Sequence, residues 1–295
     1  MAWQDTLIQL YLYICHHYQN HLCLLAHRLS NNDQPTFTDE EVLAIYLFGI
    51  IKQHRTIQAI HTYITDHLAD WFPELPSYGG YVQRLNRLHE VFPSLLAQVL
   101  EDVAREGVLD SVRLVDSMPI VMAHEKRSSQ AKVAPEIANK GYCAAKRMYF
   151  YGVKVHLVAF RHPGTLPVPD YIGISRGSAN DLTVLRSILP CLQECELYGD
   201  KIYADAELVE RLARDQKVRL YTPIKKKKGQ KKLTLTDRVY SEIVSGVRQP
   251  IESFFNWVQE QTGIEVASKV RSYKGLMVHI FGRLAAAMFL LAFNP

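Results

Sequence analysis

Val112-Arg113-Leu114-Val115-Asp116 is a short apolar run that ends in an acid, and the pattern of the chain changes there. Upstream of it, apolar residues recur at helical spacing. Downstream, three further runs have the length and apolar content of strands: 149–160, 171–174 and 218–221. Helical segments are predicted among them at 181–194, at 206–216 and at about 237–261. Strands that come first and then alternate with helices are typical of an α/β domain, which the sequence predicts from residue 109 to residue 295.

The first part of the chain, residues 1–108, is predicted to be an all-helical domain. Thr38-Asp39-Glu40-Glu41 has the form of a capping box, which places the start of a helix there. Ser77 is a candidate cap for a later helix that runs from Tyr78 to about His89. We interpret this domain as a DNA-binding domain of the helix-turn-helix type.

The composition is that of an ordinary globular protein. The chain has 295 residues, of which 48% are hydrophobic and 22% are charged, which is enough for buried cores. A net charge of +4 is too small to identify a nucleic-acid partner by itself. The five cysteines have no regular spacing, so we expect free thiols in a reducing cytoplasm. The apolar run 284–293 is shorter than the roughly 20 residues of a membrane span, so it is predicted to be a buried helix, and no membrane partner is expected.

Three acids stand where phosphoryl-transfer chemistry would need them. Such chemistry uses two divalent metal ions about 4 Å apart, and Mg²⁺ prefers carboxylate oxygens, with water and phosphate completing its shell. Asp116 follows the first strand, and Asp200 follows a short run at 196–199. Glu252 lies beside an apolar helical stripe and one turn after Arg248. Each acid taken alone has an ordinary interpretation as a turn, cap or solvated residue.

Basic side chains occur in several groups that could contact DNA. The segment 78–88 places Gln83, Arg84, Asn86 and Arg87 beside an apolar stripe, which suits a helix in a major groove and equally suits an ordinary amphipathic helix. Candidate phosphate contacts, each of which could instead be a solvated side chain, are Lys126, Arg127, Lys146, Arg147, Lys154, Lys226, Lys227, Lys269 and Arg271, with Lys274 beside the last two. Lys226 and Lys227 belong to a lysine-rich patch at 225–232.

The acids and their neighbours together resemble one family. Leu114-Val115-Asp116-Ser117-Met118-Pro119 is similar to the first block of the DDE transposases of bacterial insertion sequences. Asp200-Lys201-Ile202-Tyr203 resembles their second block, with Ile202 in place of the usual Gly. The spacing of Arg248 and Glu252 resembles the third block. Between these blocks, Tyr151-Gly152-Val153-Lys154-Val155-His156 and Ser178-Ala179-Asn180-Asp181 also resemble family segments.

The resemblance implies a fold, an activity and partners. The implied fold is RNase H-like, with a mixed sheet flanked by helices. The implied cofactors are two Mg²⁺ or Mn²⁺ ions, with Asp116 on both ions and Asp200 and Glu252 on one each. The implied substrates are double-stranded DNA at terminal inverted repeats and a target DNA, bound by a homodimer or larger homo-oligomer in the bacterial cytoplasm, at the nucleoid. Arg248 would orient Glu252 or touch phosphate.

Some positions and roles stay open at this stage. A tyrosine and a lysine that contact DNA in relatives are replaced here by Ser245 and Gln259, respectively. Asp181 and Asp205 compete with Asp200 for the second acid, and Glu260 and Glu265 compete with Glu252; motif position favours Asp200 and Glu252. Alternative functions are an RNase H-like nuclease without strand transfer and an inactive DNA-binding relic.

Overall fold

A computed structural model describes residues 3–26, 35–106, 111–144, 146–226, 228–230 and 232–293. The chain divides into two compact units. The helical unit comprises Met1–Val103 with Val258–Pro295, and the sheet unit comprises Ala104–Trp257.

The helices of the first part of the chain begin at the predicted caps. They are α1 Trp3–Asn20, α2 Asp39–Ile51, α3 Ile57–His67, α4 Tyr78–Arg87 and α5 Val91–Glu106. Thr38 forms the predicted capping box, because its hydroxyl accepts from the Glu41 N–H while the Glu41 carboxylate accepts from the Thr38 N–H. Ser77 caps α4 by accepting from the Gly80 N–H. Both cap predictions are confirmed.

The end of the chain groups with these helices. The sequence analysis placed residues 258–295 in the α/β domain, whereas the structure assigns them to the helical unit. The reason is the last helix, α10 (Tyr273–Phe293), which is apolar on all sides and packs against α2. Gly282 allows this close packing, since a Cβ there would lie 2.5 Å from Cε1 of Tyr46.

The C-terminal helix is longer than the predicted apolar run. It has 21 residues instead of the ten at 284–293, so by length and composition α10 could cross a membrane. However, 72% of the 18-residue stretch of this helix that has high mean hydropathy is buried inside the fold. A core helix passes the same test, so this helix is weak evidence for a membrane span.

The sheet unit contains a mixed sheet of six strands in the described chain. The strands are β1 Val112–His124, β2 Asn139–Cys143, β3 Met148–Phe160, β4 Val168–Arg176, β5 Glu196–Tyr198 and β6 Arg219–Tyr221. The order is β2-β3-β1-β5-β6, and β4 also pairs with β3. Strand β3 pairs antiparallel with β1, β2 and β4. Strand β5 pairs parallel with β1 and β6.

The helices of this part of the chain are α6 Glu125–Ser128, α7 Asp181–Ile188, α8 Ala206–Asp215 and α9 Leu235–Thr262. The division between the two units falls inside α9. Helix α7 ends earlier than the predicted 181–194, because Pro190 disfavours helical backbone at the residue before it. The sequence analysis did not predict β2, since its residues Asn-Lys-Gly-Tyr-Cys lack an apolar pattern.

One face of the sheet is covered by α7 and α8. Leu185 and Ile188 of α7 and Leu208 and Leu212 of α8 belong to one buried cluster. The same cluster includes Val115 of β1, Leu197 of β5 and Leu220 of β6. The strand residues that precede Asp116 and Asp200 are therefore fixed by a packed core.

His156 is a buried titratable group in β3. Its side chain is 2% exposed, and its Nε2 lies 2.7 Å from Oγ of Ser175. Burial lowers the pKa of His156 to about 4, and the nearby Lys154 ammonium lowers it further, while Asp181 opposes both. The neutral imidazole is therefore the native form, and protonation works against folding.

Acid is expected to destabilise the protein through His156. Because its pKa is lower in the folded than in the unfolded chain, this contribution is complete above a pH of about 6.5 and is lost as the pH falls toward about 4. Between pH 7.5 and pH 5 the free energy of unfolding should fall by about 2 kcal/mol through His156. Urea denaturation at both values should show a smaller loss for His156→Gln than for the wild-type protein. Equal losses would show that His156 does not titrate in this way.

Candidate active site

Asp116 lies on β1, directly after the buried Val115. Its side chain is 23% exposed. Oδ1 accepts a hydrogen bond of 2.8 Å from the Ser117 N–H, and Oδ2 lies 2.9 Å from Nη1 of Arg248. The backbone contact fixes the orientation of this carboxylate.

The register of the sheet places Asp200 beside Asp116. Leu114 on β1 pairs with Tyr198, the last residue of β5. Asp116 lies two residues further along β1 and Asp200 two residues past the end of β5, so the two acids lie at neighbouring positions, and the charge of Asp200 raises the pKa of Asp116. Oδ1 of Asp200 accepts a hydrogen bond of 2.7 Å from the Lys201 N–H, so this carboxylate is oriented in the same way as that of Asp116.

Gly199 permits this close approach of the two strands. A Cβ at this position would lie 2.9 Å from Cγ1 of Val115 and 2.8 Å from Cδ2 of Tyr203, which is closer than real side chains come. The sequence analysis did not identify Gly199, although a glycine between a strand and an acid is a usable signal for close backbone packing.

Glu252 comes from α9. The predicted apolar stripe is confirmed, because Ile251, Phe254, Phe255 and Val258 are all buried. Glu252 lies beside this stripe and is half exposed. Pro250 lies between Arg248 and Glu252 and has no N–H for the helical hydrogen bond, so it loosens the helix at this point.

Arg248 joins the first acid to the third. Its Nη1 binds Asp116, and its Nη2 donates to Oε1 of Glu252. The arginine is 13% exposed, and its Nε is buried without a hydrogen-bond partner in the described chain. A single guanidinium thus forms ion pairs with two of the three acids and offsets one of their two negative charges.

The electrostatic surroundings of Asp116 include the other two acids. Burial raises the pKa of Asp116 to about 6. Arg248 and the Ser117 N–H oppose this shift, and the negative charges of Glu252 and Asp200 add to it. Clustered carboxylates of this kind favour a cation among them.

The acids fit a divalent metal by chemistry and charge. All three present carboxylate oxygens, which Mg²⁺ and Mn²⁺ prefer. In the described part of the chain, no group of three or more His, Cys, Asp or Glu side chains converges closely enough to hold an ion as it stands. Arg248 binds Asp116 and Glu252, so a divalent ion on the same carboxylate oxygens would compete with this guanidinium.

A comparison with protein-family models matches residues 106–272, more than half of the chain, to the transposase DDE domain. The chain belongs to the transposase DDE domain family. This confirms the resemblance to DDE transposases, and the matched segment contains Asp116, Asp200 and Glu252. No curated protein shows a significant match, and no solved structure does so either.

The rival acids of this DDE transposase make other contacts. Asp205 caps α8 by accepting from the Leu208 N–H and also binds Arg186. Asp181 lies 2.9 Å from Nζ of Lys154. Glu260 and Glu265 belong to the helical unit, whereas Asp116 belongs to the sheet unit. The acids among the main causes of the raised pKa of Asp116 are Glu252 and Asp200.

The predicted DNA contacts of the sheet unit fall into two classes. Lys126, Arg127, Lys146, Arg147 and Lys226 are exposed. Lys154 is instead largely buried, and its ammonium donates to Asp181 and to the Ala179 carbonyl. Arg248 is bound by two acids, as described above. Lys227 lies outside the described residues.

The helix predicted to read DNA, α4, has one face that binds an internal acid and another that lines a cavity. Arg84 and Arg87 both bind the carboxylate of Asp39, which is 7% exposed and also accepts from the Tyr18 hydroxyl. Gln83 is exposed, whereas Asn86 is half-buried and lines a cavity. Lys269 and Arg271 are exposed and line the same cavity.

Asp39→Asn tests whether Arg84 and Arg87 serve the fold. The change leaves two guanidiniums beside a neutral amide, so the free energy of unfolding should fall by about 3 kcal/mol. Asp70→Asn is the matched control, because Asp70 is exposed and its loss should change stability by less than about 0.5 kcal/mol. Equal effects of the two variants in urea denaturation would indicate that Asp39 does not hold these arginines.

Proposed function

We propose that this DDE transposase cleaves DNA at the terminal inverted repeats of its element and joins the freed strand to target DNA. The observation that carries the proposal is that one guanidinium joins two of the acids, while the third acid is close enough to raise the pKa of Asp116. Arg248 binds Asp116 and Glu252, and the charge of Asp200 reaches Asp116 across the parallel β1–β5 pair. The mixed sheet that positions the acids supports an RNase H-like fold.

Asp116, Asp200 and Glu252 would hold two divalent ions, Mg²⁺ or Mn²⁺. When bound, these ions activate the attacking hydroxyl and stabilise the leaving oxygen of the phosphodiester. The chain contributes orientation: the Ser117 N–H and the Lys201 N–H each bind one oxygen of an acid, and the second oxygen of Asp116 is bound by Arg248. The charges of both Glu252 and Asp200 act on Asp116. Asp116 is therefore the candidate ligand for both ions.

The proposed partner is double-stranded DNA, at the terminal repeats and at the target. Exposed cations of the sheet unit would bind its phosphates, among them Lys126, Arg127, Lys146 and Arg147. Two element ends must be held together for joining, so we propose a homodimer or larger assembly on DNA. The protein would act at the bacterial nucleoid.

A cleavage assay tests this proposal. The substrate is a labelled duplex that carries the terminal repeat, together with a target plasmid, and the assay compares Mg²⁺ or Mn²⁺ with a chelator. Metal-dependent cutting at the repeat end and a joined product are expected. Cutting without joining, even when a pre-cleaved 3′-OH end is supplied, would favour a nuclease. Binding without cutting in either metal would favour an inactive relic.

A further inference from the structure

A cavity of about 720 Å³ lies within the helical unit. One wall is the stripe Tyr78, Val82 and Asn86 of α4, and a second is the start of α3 at Thr56–Gln58. The segment 266–272 forms a further wall. A volume between about 300 and 1,000 Å³ is typical of pockets for organic ligands, so the cavity is much larger than a simple inorganic ion requires.

The charge of the cavity favours an anion. Arg55, Lys269, Arg271 and Arg283 line it, and no Asp or Glu is among the described lining residues. Arg283 is buried and is used internally, because it donates to the carbonyls of Thr262 and Arg55. Lys269 is exposed and forms no ion pair with any residue that the structure describes. Arg55 and Arg271 also donate to backbone carbonyls, but both side chains are exposed. Arg271 lies on the same segment as Lys269, so one phosphate on that segment could reach both cations.

The polar and apolar lining favours a nucleotide over other anions. Three carboxamides line the cavity, from Gln58, Asn86 and Gln259. Carboxamides pair with base edges, and aromatic or apolar side chains such as Tyr78 and Val82 cover base faces. Cations, carboxamides and a tyrosine in one cavity match the three parts of a nucleotide: phosphate, base edge and base face.

The shape of the site favours an unpaired nucleotide. A helix that reads duplex DNA presents a convex face to the major groove, but the Tyr78–Asn86 stripe is an inner wall of the cavity. Oδ1 of Asn86 would lie 3.3 Å from a Cβ on Gly275, so α10 covers this end of α4. The opposite face of α4 is engaged by Asp39.

We propose that this cavity binds an unpaired nucleotide of the DNA substrate, with its phosphate on Lys269 and Arg271 and its base against α4. The inference rests on the proposed function, since it assumes that DNA is the substrate. It assigns to the helical unit the capture of a single strand, in addition to any contact with duplex DNA.

Charge reversal tests the phosphate site. Fluorescence anisotropy with a chelator present compares a single-stranded oligonucleotide with a blunt duplex of the same sequence. Lys269→Glu should weaken single-strand binding about tenfold and duplex binding much less. Lys52→Glu is the matched control, because Lys52 is exposed and belongs to the helical unit but does not line the cavity; a change below about twofold is expected. Equal effects of the two variants would overturn the proposal.

Neutral variants test the base site without a change of charge. Asn86→Leu should weaken single-strand binding about tenfold at an unchanged salt dependence, whereas Gln9→Leu, an exposed position on α1 outside the cavity, should not. Thermal melting verifies that both variants are folded. Wild-type-like binding by Asn86→Leu and Lys269→Glu, in a protein that still cleaves terminal repeats, would overturn the cavity inference alone. A wild-type protein that binds no DNA would overturn the proposed function with it.

Discussion

Asp116→Asn, Asp200→Asn and Glu252→Gln are each expected to lower the rate of terminal-repeat cleavage at least about 10³-fold. The amides keep the shape of the side chains and remove the negative charge that would hold a divalent cation. Such cations contribute several kcal/mol to the stabilisation of the transition state, and each 1.4 kcal/mol corresponds to about a tenfold change in rate. Single-turnover cleavage of a labelled duplex measures the effect.

Two observations separate lost chemistry from lost folding. DNA affinity measured in a chelator should stay within about threefold of wild type, since the acids are expected to repel phosphate and not to bind it. Burial raises the pKa of Asp116 to about 6, so its ionised form costs stability above that pH. Asp116→Asn should therefore melt no lower than wild type at pH 8.

Asp205→Asn and Asp181→Asn are the matched controls for the second acid. Asp205 caps α8 and Asp181 binds Lys154, so these variants should lose stability and retain most of the cleavage rate. If Asp200→Asn cleaves normally and Asp205→Asn or Asp181→Asn does not, the second acid has been misassigned.

Arg248→Gln is expected to tighten Mn²⁺ binding about tenfold. The guanidinium is bound by Asp116 and Glu252, so it would compete with a metal ion for the same carboxylate oxygens. Removing a positive charge within about 4 Å of two carboxylates would raise cation affinity by more than this in a dry site, but Glu252 is 50% exposed, so solvent reduces the effect. Isothermal titration of the protein with MnCl₂ measures the change.

Arg238→Gln provides the comparison for Arg248. Arg238 lies on the same helix and also pairs with an acid four residues later, Glu242, but both side chains are about two-thirds exposed. Its loss should leave Mn²⁺ affinity unchanged. Weaker Mn²⁺ binding by Arg248→Gln would mean that Arg248 holds the acids in place for the metal instead of competing with it.

Local features of this protein were predictable from its sequence, because neighbouring residues determine them. The Thr38 capping box, the Ser77 cap and the apolar stripe beside Glu252 each depend on a spacing of a few residues. The prediction that Asp116 ends the first strand was wrong, because β1 continues through Asp116 to His124, whereas Asp200 does follow the end of β5. The family motifs then selected three acids from a larger set of candidates.

Long-range contacts were not predictable from one sequence. Arg248 lies 132 residues from Asp116 along the chain, and Arg84 lies 45 residues from Asp39. The sequence does not distinguish a basic residue that binds DNA from one that pairs with an acid inside the protein. For this reason Lys154, Arg84 and Arg87 resembled surface cations in the sequence, although the structure pairs them with acids.

The short strands of the sheet have a consequence for how the site opens. The β1–β3 pairing extends over eleven residue pairs, whereas β5 joins β1 and β6 through only three pairs each. Local opening costs less free energy where fewer backbone hydrogen bonds and contacts must break. The backbone amides around β5 should therefore exchange with solvent before those of β1 and β3. Asp200 can thus leave the acid cluster through a local fluctuation, while Asp116 stays fixed until the whole sheet unfolds.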